Sequence, residues 1–321
     1  MFKNIPPILN AKQLLDRSIR HTKKIQVHDR DKRYQIKKIV IERTEAFIEN
    51  LLSTLESYVK HFPSIDKLPL FYQEIIDIKI DTNKLKKSLG AVDWARKTIT
   101  MVYATQGSSL TKTGNIDFLK QKQKEIYGRV SSIVKQVNKN LVFLAYAQKI
   151  LRAFPDIEDI PTVVIAGYPN VGKSSLIRKL SAAKPEVAQY PFTTKQIFVG
   201  HMEKIVHYEK RKYQIIDTPG LLDRPLAERN KIERQAIAAL RHLADVIVFI
   251  VDPSGSSGYL LDDQTLMLTD IKKLFHDVPF IIVENKVDIK NTGSPHRKIS
   301  CTTGEGIEEL RNEIISVLDQ V

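Results

Sequence analysis

The chain has 321 residues, of which 42% are hydrophobic and 27% are charged, proportions ordinary for a globular protein long enough to form two domains. A single cysteine, Cys301, excludes a fold held by intramolecular disulfides, and without a secretory pattern or a membrane-length apolar run we expect a cytoplasmic protein with no membrane span. The net charge of +13 lies almost entirely in residues 1–160, which carry 29 basic and 17 acidic side chains, whereas residues 161–321 carry 21 and 20.

The first half of the chain has the periodicity of α-helices. Breaks with proline, glycine and serine separate the helical segments. We therefore predict an all-α bundle of four or five helices as a domain over residues 1–155. Apolar residues recur at helical spacing from about 11 to 24, 33 to 62, 70 to 80, 85 to 102 and 126 to 144.

Basic residues are concentrated near the N-terminus, where only Asp29 and Asp31 offset nine cations. A domain-sized basic excess is typical of proteins that bind a polyanion, either nucleic acid or an anionic membrane surface. The alternative is an ordinary solvated helix surface. We predict RNA contact by the nine-residue basic cluster, which consists of Arg17, Arg20, Lys23, Lys24, Arg30, Lys32, Arg33, Lys37 and Lys38.

The pattern changes after a segment that contains Pro155 and Pro161. Short runs of β-branched residues then alternate with longer helical stretches, an order typical of an α/β fold with a mostly parallel sheet. We predict this second domain over residues 156–321. The predicted strands are 162–166, 213–216, 245–251 and 279–283, and the predicted helices are 173–180, 228–242, 263–275 and 307–318.

A phosphate-binding loop is predicted between the first strand and the first helix of the second domain. Residues 167–174 read Gly-Tyr-Pro-Asn-Val-Gly-Lys-Ser and match Gly-x-x-x-x-Gly-Lys-Ser. In such a loop backbone N–H groups surround the β-phosphate, Lys173 reaches the β- and γ-phosphate oxygens, and the Ser174 hydroxyl binds Mg²⁺. A glycine-rich turn without function is the alternative. The predicted nucleotide ligands here are Asn170, Val171, Gly172, Lys173, Ser174 and Ser175.

A polar and aromatic segment, residues 190–195, follows the phosphate loop and suits a mobile switch. A threonine of such a segment closes over the Mg²⁺ ion in related enzymes. We predict Thr194 for this role, with Thr193 as the second choice. Two solvent-exposed threonines without a role are the alternative.

Asp217-Thr218-Pro219-Gly220 follows the next predicted strand. This placement predicts a carboxylate of Asp217 beside Mg²⁺ and an N–H of Gly220 facing the γ-phosphate. Leu221 occupies the position at which many small GTPases carry a glutamine that orients the attacking water. Because leucine cannot position water, we expect slow hydrolysis assisted by another group, a partner or a cation. Asn170 could bind K⁺ for this purpose or simply stabilise its loop.

Guanine recognition is predicted from two segments near the C-terminus. Asn285-Lys286-Val287-Asp288 follows a strand, and the Asp288 carboxylate can accept hydrogen bonds from guanine N1 and the 2-amino group, which adenine does not offer. Ser300, Cys301 and Thr302 can offer a backbone N–H to guanine O6, while the Cys301 side chain is interpreted as a small buried residue. The sequence therefore predicts GTP and GDP rather than ATP as ligands.

Further segments accompany these motifs. In the second domain they are Phe192-Thr193-Thr194-Lys195, Phe198-Val199-Gly200-His201, Leu221-Leu222-Asp223 and the helix from Glu228-Arg229-Asn230 to Ala239-Leu240, and in the first domain Ile5-Pro6-Pro7, Leu68-Pro69-Leu70-Phe71-Tyr72 and Trp94-Ala95-Arg96-Lys97. Together the motifs resemble those of the Obg-type GTPases and, more closely, the nucleolar GTP-binding protein 1 family. The resemblance covers nearly all of residues 1–318.

The resemblance implies an all-α helical bundle followed by a Ras-like P-loop GTPase domain that acts in assembly of the large ribosomal subunit. The implied partners are that subunit or its precursor and ribosomal RNA, and no obligate oligomer is expected. Eukaryotic members continue well beyond the GTPase domain, whereas this chain ends at Val321, which implies a minimal, archaeal-like version. The alternatives are a membrane-surface or signalling GTPase and a GTP-dependent binding module with little turnover.

Overall fold

The computed structural model describes residues 2–154, 156–189, 196–206, 208–217, 219–223 and 229–320. The chain divides into two compact units. The helical unit comprises Met1–Ile65 and Ile80–Arg152, and the sheet unit comprises Asp66–Lys79 and Ala153–Val321.

The chain before residue 155 is helical, as the periodicity predicts. Polar residues start several of these helices: the Asn10 side chain accepts the Gln13 N–H, and the Asp31 side chain accepts the Arg33 N–H. In the described part of the chain no helix is both long and apolar enough to cross a membrane. The helices are α1 (Ala11–Lys23), α2 (Lys32–His61), α3 (Leu70–Ile80), α4 (Thr82–Gln106), the short α5 (Ser108–Thr111), α6 (Ile116–Gln136) and α7 (Asn138–Arg152).

The core of the helical unit is formed by the apolar stripes that the sequence predicts. Phe47 and Leu51 of α2, Ile99 of α4, Ile126 of α6 and Leu144 of α7 are fully buried. Packing of these stripes leaves the charged faces of the helices in solvent. The predicted all-α bundle is therefore confirmed.

Helix α3 belongs to the sheet unit rather than to the bundle. The Tyr72 hydroxyl accepts the N–H of Ile157 at 2.8 Å, and Glu74 contacts the His242 ring at 2.9 Å. Burial raises the pKa of Tyr72 to about 12. The apolar periodicity of α3 predicts a helix but does not indicate which unit the helix packs against. The domain boundary after residue 155 stays a prediction.

The sheet unit has the strand order β2-β3-β4-β1-β5-β6-β7. Strands β4, β1, β5, β6 and β7 run parallel, while β3 pairs antiparallel with β2 and β4, so the predicted mostly parallel sheet is confirmed. The strands are β1 (Thr162–Ala166), β2 (Glu186–Gln189), β3 (Gln196–Val206), β4 (Glu209–Asp217), β5 (Val246–Val251), β6 (Phe280–Glu284) and β7 (Arg297–Lys298), and the helices are α8 (Lys173–Leu180), α9 (Lys231–Ala239), α10 (Leu261–Leu274) and α11 (Ile307–Leu318).

The strand order places the carboxyl ends of four parallel strands at one edge. In the register Ile165 of β1 pairs with Asp217 of β4, and Ala166 of β1 pairs with Phe249 of β5. In open α/β sheets of this kind, ligands bind outside the carboxyl ends of the parallel strands. The predicted motifs follow these strand ends, so the fold brings them to one edge.

Candidate nucleotide site

The loop between β1 and α8 has a backbone that requires glycine at two positions. Gly167 and Gly172 have φ angles of 139° and 108°. A Cβ atom on Gly167 would lie 2.5 Å from the Ile250 carbonyl oxygen, and one on Gly172 would lie 2.2 Å from Asn285 Nδ2. The loop can therefore close tightly at the N-terminus of α8, where backbone N–H groups and the helix dipole favour an anion.

Lys173 is held inside this loop. Its side chain is buried, with the residue only 7% exposed, and its Nζ donates to the carbonyl oxygens of Gly167 and Tyr168, both at 2.7 Å. A buried ammonium group favours an anionic neighbour because it has lost its hydration. The geometry therefore suits a phosphate at the centre of the loop.

Ser174 and Asp217 form a pair of oxygen donors at the start of α8 and the end of β4. The Ser174 hydroxyl donates to Asp217 Oδ2 at 2.9 Å, and Asp217 is fully buried. Hydroxyl and carboxylate oxygens are ligands that Mg²⁺ accepts together with substrate phosphates, so the two residues fit a magnesium ion. Thr194, the third predicted magnesium ligand, and its alternative Thr193 lie outside the described residues.

All the predicted phosphate-site residues except Val171 line one cavity of about 460 Å³. Asn170 lies at its rim, exposed and with a φ angle of 63°, so its side-chain oxygen is accessible to a cation. Val171 lies buried beneath the loop rather than in the cavity wall. The lining residues are Pro169, Asn170, Gly172, Lys173, Ser174, Ser175, Pro219 and Asp223.

Asn285 joins the phosphate loop to the predicted guanine segments. It is buried, its Nδ2 donates to the Val171 carbonyl oxygen at 2.8 Å, and its Oδ1 accepts the Cys301 N–H at 3.0 Å. Both hydrogen-bonding ends of the amide are used within the protein. Asp288, in contrast, is exposed, and its carboxylate is accessible to a base.

Lys286 is fixed by an acidic residue that the sequence motifs do not include. Its Nζ lies 2.8 Å from Asp252 Oδ2 and donates to the Ser256 hydroxyl at 2.8 Å. Burial acts to raise the pKa of Asp252, but hydrogen bonds from Lys286 and Ser254 outweigh it and hold that pKa below its usual value. The sequence offers one signal for Asp252, which is its place immediately after the apolar run of β5.

The segment Ser300–Thr302 follows β7 and is hydrogen-bonded to Asn285 through the Cys301 N–H. Ser300 is buried and its hydroxyl accepts the Thr303 N–H at 3.1 Å, whereas Thr302 is exposed. Cys301 is half-buried, and burial raises the pKa of its thiol to about 11. The thiol therefore stays protonated near neutral pH and lacks nucleophilic character.

The turn after β4 uses the Gly220 N–H within the protein. Its N–H, predicted to face the γ-phosphate, donates to Asp223 Oδ2 at 2.7 Å. The side chains of Leu221 and Leu222 are fully buried, and the Leu222 carbonyl oxygen accepts the Gly167 N–H at 3.0 Å. The leucines therefore anchor the turn to the core.

Arg229 completes this turn and has no counterpart among the predicted site residues. Its buried guanidinium contacts Asp223 Oδ1 at 3.1 Å and donates to the carbonyl oxygens of Leu221, at 2.8 Å, and Gly220. A buried arginine that binds two backbone carbonyls and a carboxylate fixes the path of the chain. Asp223 and Arg229 lie in segments that carry the family resemblance, but nothing in the sequence indicates that their charged side chains are buried.

The chain matches two families of known proteins. Residues 2–158 match the NOG1 N-terminal helical domain, and residues 162–286 match the 50S ribosome-binding GTPase family. An uncharacterized protein of Methanocaldococcus jannaschii is 38% identical over 292 residues, which cover 90% of this chain and 81% of that protein.

Nucleolar GTP-binding protein 1 of Drosophila melanogaster is 33% identical over 323 residues, which cover 99% of this chain. The chain spans only 47% of the length of that relative. A solved structure from Plasmodium falciparum, described as nucleolar GTP-binding protein 1, is 33% identical, covers 52% of this chain and 91% of its own, and has a TM-score of 0.46.

These matches confirm the predicted fold class, an all-α N-terminal domain followed by a P-loop GTPase domain with a mostly parallel sheet. They also confirm the prediction of a guanine-nucleotide enzyme. The chain belongs to the nucleolar GTP-binding protein 1 family of GTPases.

Proposed function

We propose that the protein is a GTP-hydrolysing switch in assembly of the large ribosomal subunit, and that its basic helices dock on ribosomal RNA. The observation that carries this proposal is the combination of a phosphate site in the sheet unit with an exposed basic cluster in the helical unit. The description of the matched GTPase family as 50S ribosome-binding supports the same partner.

Each end of GTP has a separate set of residues in this proposal. Lys173 binds the β- and γ-phosphates, Ser174 and Asp217 hold Mg²⁺, and Asp288 binds the guanine edge. The 2.9 Å contact between Ser174 and Asp217 supports the metal assignment, and the exposed carboxylate of Asp288 supports the base assignment. Magnesium, when bound, neutralises charge on the phosphate oxygens.

Hydrolysis is slow without assistance in this proposal. Leu221 stands where other GTPases carry a water-orienting glutamine. Its side chain is apolar and buried, so it cannot position the attacking water. Asn170 lines the phosphate cavity and offers an amide oxygen, which supports a role as a ligand of K⁺. A monovalent cation there would add positive charge beside the phosphates.

The basic cluster supports the RNA assignment. Its residues lie on α1, on the connection that follows and on the first turns of α2, and all are exposed except Lys37, which is half-buried. The side chain of Arg43 donates to the Ile25 carbonyl oxygen at 3.2 Å and so fixes the connection between the two helices. A fixed array of cations binds a phosphate backbone by releasing its condensed counterions.

A salt titration of RNA binding tests this proposal. For the full chain, if about six phosphates are neutralised, log K for a large-subunit ribosomal RNA fragment should fall against log salt with a slope of about −4 to −5. Reversing Arg30, Lys32 and Arg33 to Glu should flatten the slope. The matched control reverses the exposed sheet-unit residues Lys184, Lys273 and Lys290.

Three results of that titration would contradict RNA docking. They are an equal loss of affinity in the two triple variants, a slope near zero, and tighter binding to anionic phospholipid vesicles than to RNA. Vesicle binding would favour the membrane-surface alternative instead.

A further inference from the structure

We propose that Asp223 sets the preference of this site between GTP and GDP, because its carboxylate occupies the Gly220 N–H that the γ-phosphate requires. GTP then binds by displacing Asp223 from that N–H, whereas GDP binds without disturbing it. The inference rests on the proposed role of Gly220 in γ-phosphate binding.

The contact between Asp223 and Gly220 lies at the phosphate cavity. Asp223 is only 5% exposed, and it lines the cavity together with Pro219, Lys173 and Ser174. Its Oδ2 lies 2.7 Å from the Gly220 nitrogen, a short distance that is typical of a charge-assisted hydrogen bond. The carboxylate therefore stands in the position of an anion bound to the turn.

Arg229 holds both partners of this contact. Its guanidinium binds Asp223 through Oδ1, so that Oδ2 is directed to the Gly220 N–H. The same guanidinium, which only donates hydrogen bonds, donates to the Gly220 carbonyl oxygen and so fixes the orientation of the turn. Arg229 is thus a positioning residue that acts through Asp223 and Gly220.

Competition follows from the chemistry of the N–H group. One backbone N–H makes one strong hydrogen bond, and the Asp223 carboxylate and a γ-phosphate oxygen are both anionic acceptors. The two anions also repel each other when they lie side by side in this cavity. GDP has no γ-phosphate, so its affinity is independent of this exchange. If the Asp223–Arg229 pair were purely structural, its loss would instead change the affinities for GTP and GDP alike.

The test compares the affinities of the full chain for GDP and for a non-hydrolysable GTP analogue in the presence of Mg²⁺. Asp223→Asn keeps the size of the side chain but removes its charge, so the analogue should bind about tenfold more tightly while GDP binding changes less than about twofold. Asp245→Asn is the matched control. Asp245 accepts the Thr162 N–H at 2.7 Å, at the amino-terminal ends of β5 and β1. Its replacement should leave the ratio of the affinities for the analogue and for GDP unchanged.

An equal change for both nucleotides in Asp223→Asn, or weaker binding of the analogue alone, would overturn the proposal. A crystal structure of the wild-type chain with the analogue is a second test that does not depend on the variant's folding. It should show Asp223 Oδ2 more than 3.5 Å from the Gly220 nitrogen, and a retained contact near 2.7 Å would overturn the proposal. Neither measurement involves the ribosome, so a failure of the proposed role of Asp223 can be distinguished from a failure of the proposed docking on the ribosomal subunit.

Discussion

The side-chain nitrogen of Asn285 lies 2.8 Å from the carbonyl oxygen of Val171, so the guanine segment is hydrogen-bonded directly to the phosphate loop. The same side chain accepts the Cys301 N–H, and it lies where a Cβ atom on Gly172 would have to be. The two ends of the nucleotide site are therefore one connected structure rather than two independent motifs.

Asn285→Ala should weaken GDP and GTP together. The change leaves the buried Val171 carbonyl and the Cys301 N–H without this partner, at a cost of about 1–3 kcal/mol for each group. We expect an affinity loss of about 10- to 100-fold for both nucleotides, measured by fluorescence titration. Asn291→Ala, an exposed control nearby, should change neither. A loss confined to GTP would contradict the role of Asn285 as a link between the loops.

Asp288→Asn should exchange guanine for xanthine. The wild-type carboxylate accepts from N1 and the 2-amino group of guanine, while an asparagine can donate to the 2-oxygen of xanthine. GTP affinity should fall at least about 100-fold and XTP affinity should rise, because the side chain at position 288 then matches the hydrogen-bonding groups of xanthine and no longer those of guanine. Competition titrations measure both. Equal binding of ATP and GTP by the wild-type chain would contradict the base assignment.

The sequence predicts the parts of this structure that local periodicity and motif spacing determine. Apolar stripes identify α2, α4 and α6, and the apolar run of β1 followed by Gly-x-x-x-x-Gly-Lys-Ser identifies the phosphate loop. Strand β3 has no such signal, because its consecutive residues Lys204 and Ile205 are both exposed, pair with the polar start of β4 and break the alternation.

Tertiary contacts between distant residues explain what the sequence does not indicate. Asp252 and Lys286 are 34 positions apart and meet only because β5 and β6 are neighbours. Asp223 and Arg229 are near in sequence, but the burial of both charged side chains depends on the packing of the turn with Leu221 and Leu222, which the sequence does not show. The packing of α3 against the sheet unit depends in the same way on Tyr72 and Ile157, which are 85 positions apart.

Cys301 should react slowly with alkylating reagents. Its thiol has a pKa raised to about 11 by burial, so at pH 8 the thiolate fraction is about 10⁻³, roughly 200-fold below that of a free cysteine. The iodoacetamide reaction rate should rise about tenfold per pH unit between pH 7 and 10 in the folded protein. The urea-unfolded chain is the control and should level off near pH 9. Similar rates in the two states at pH 8 would contradict the burial of the thiol.

Intrinsic GTP hydrolysis should be slow and sensitive to the monovalent cation. We expect a rate of the order of 10⁻⁴ to 10⁻² per second for the isolated protein, as for unassisted GTPases. Replacing Na⁺ with K⁺ should accelerate phosphate release, and Asn170→Ala should abolish that acceleration while Asn291→Ala preserves it. Equal rates in the two salts would contradict the proposed cation site.

Sedimentation with large ribosomal subunits tests directly whether the protein docks on them under the control of GTP. The full chain is centrifuged with large ribosomal subunits in the presence of a GTP analogue, of GDP, or of no nucleotide. We expect the bound fraction to differ several-fold between the GTP analogue and GDP, and reversal of Arg30, Lys32 and Arg33 to Glu to remove the binding. Equal sedimentation in all three conditions, or undiminished sedimentation of the triple variant, would contradict a GTP-controlled switch that docks through its basic helices.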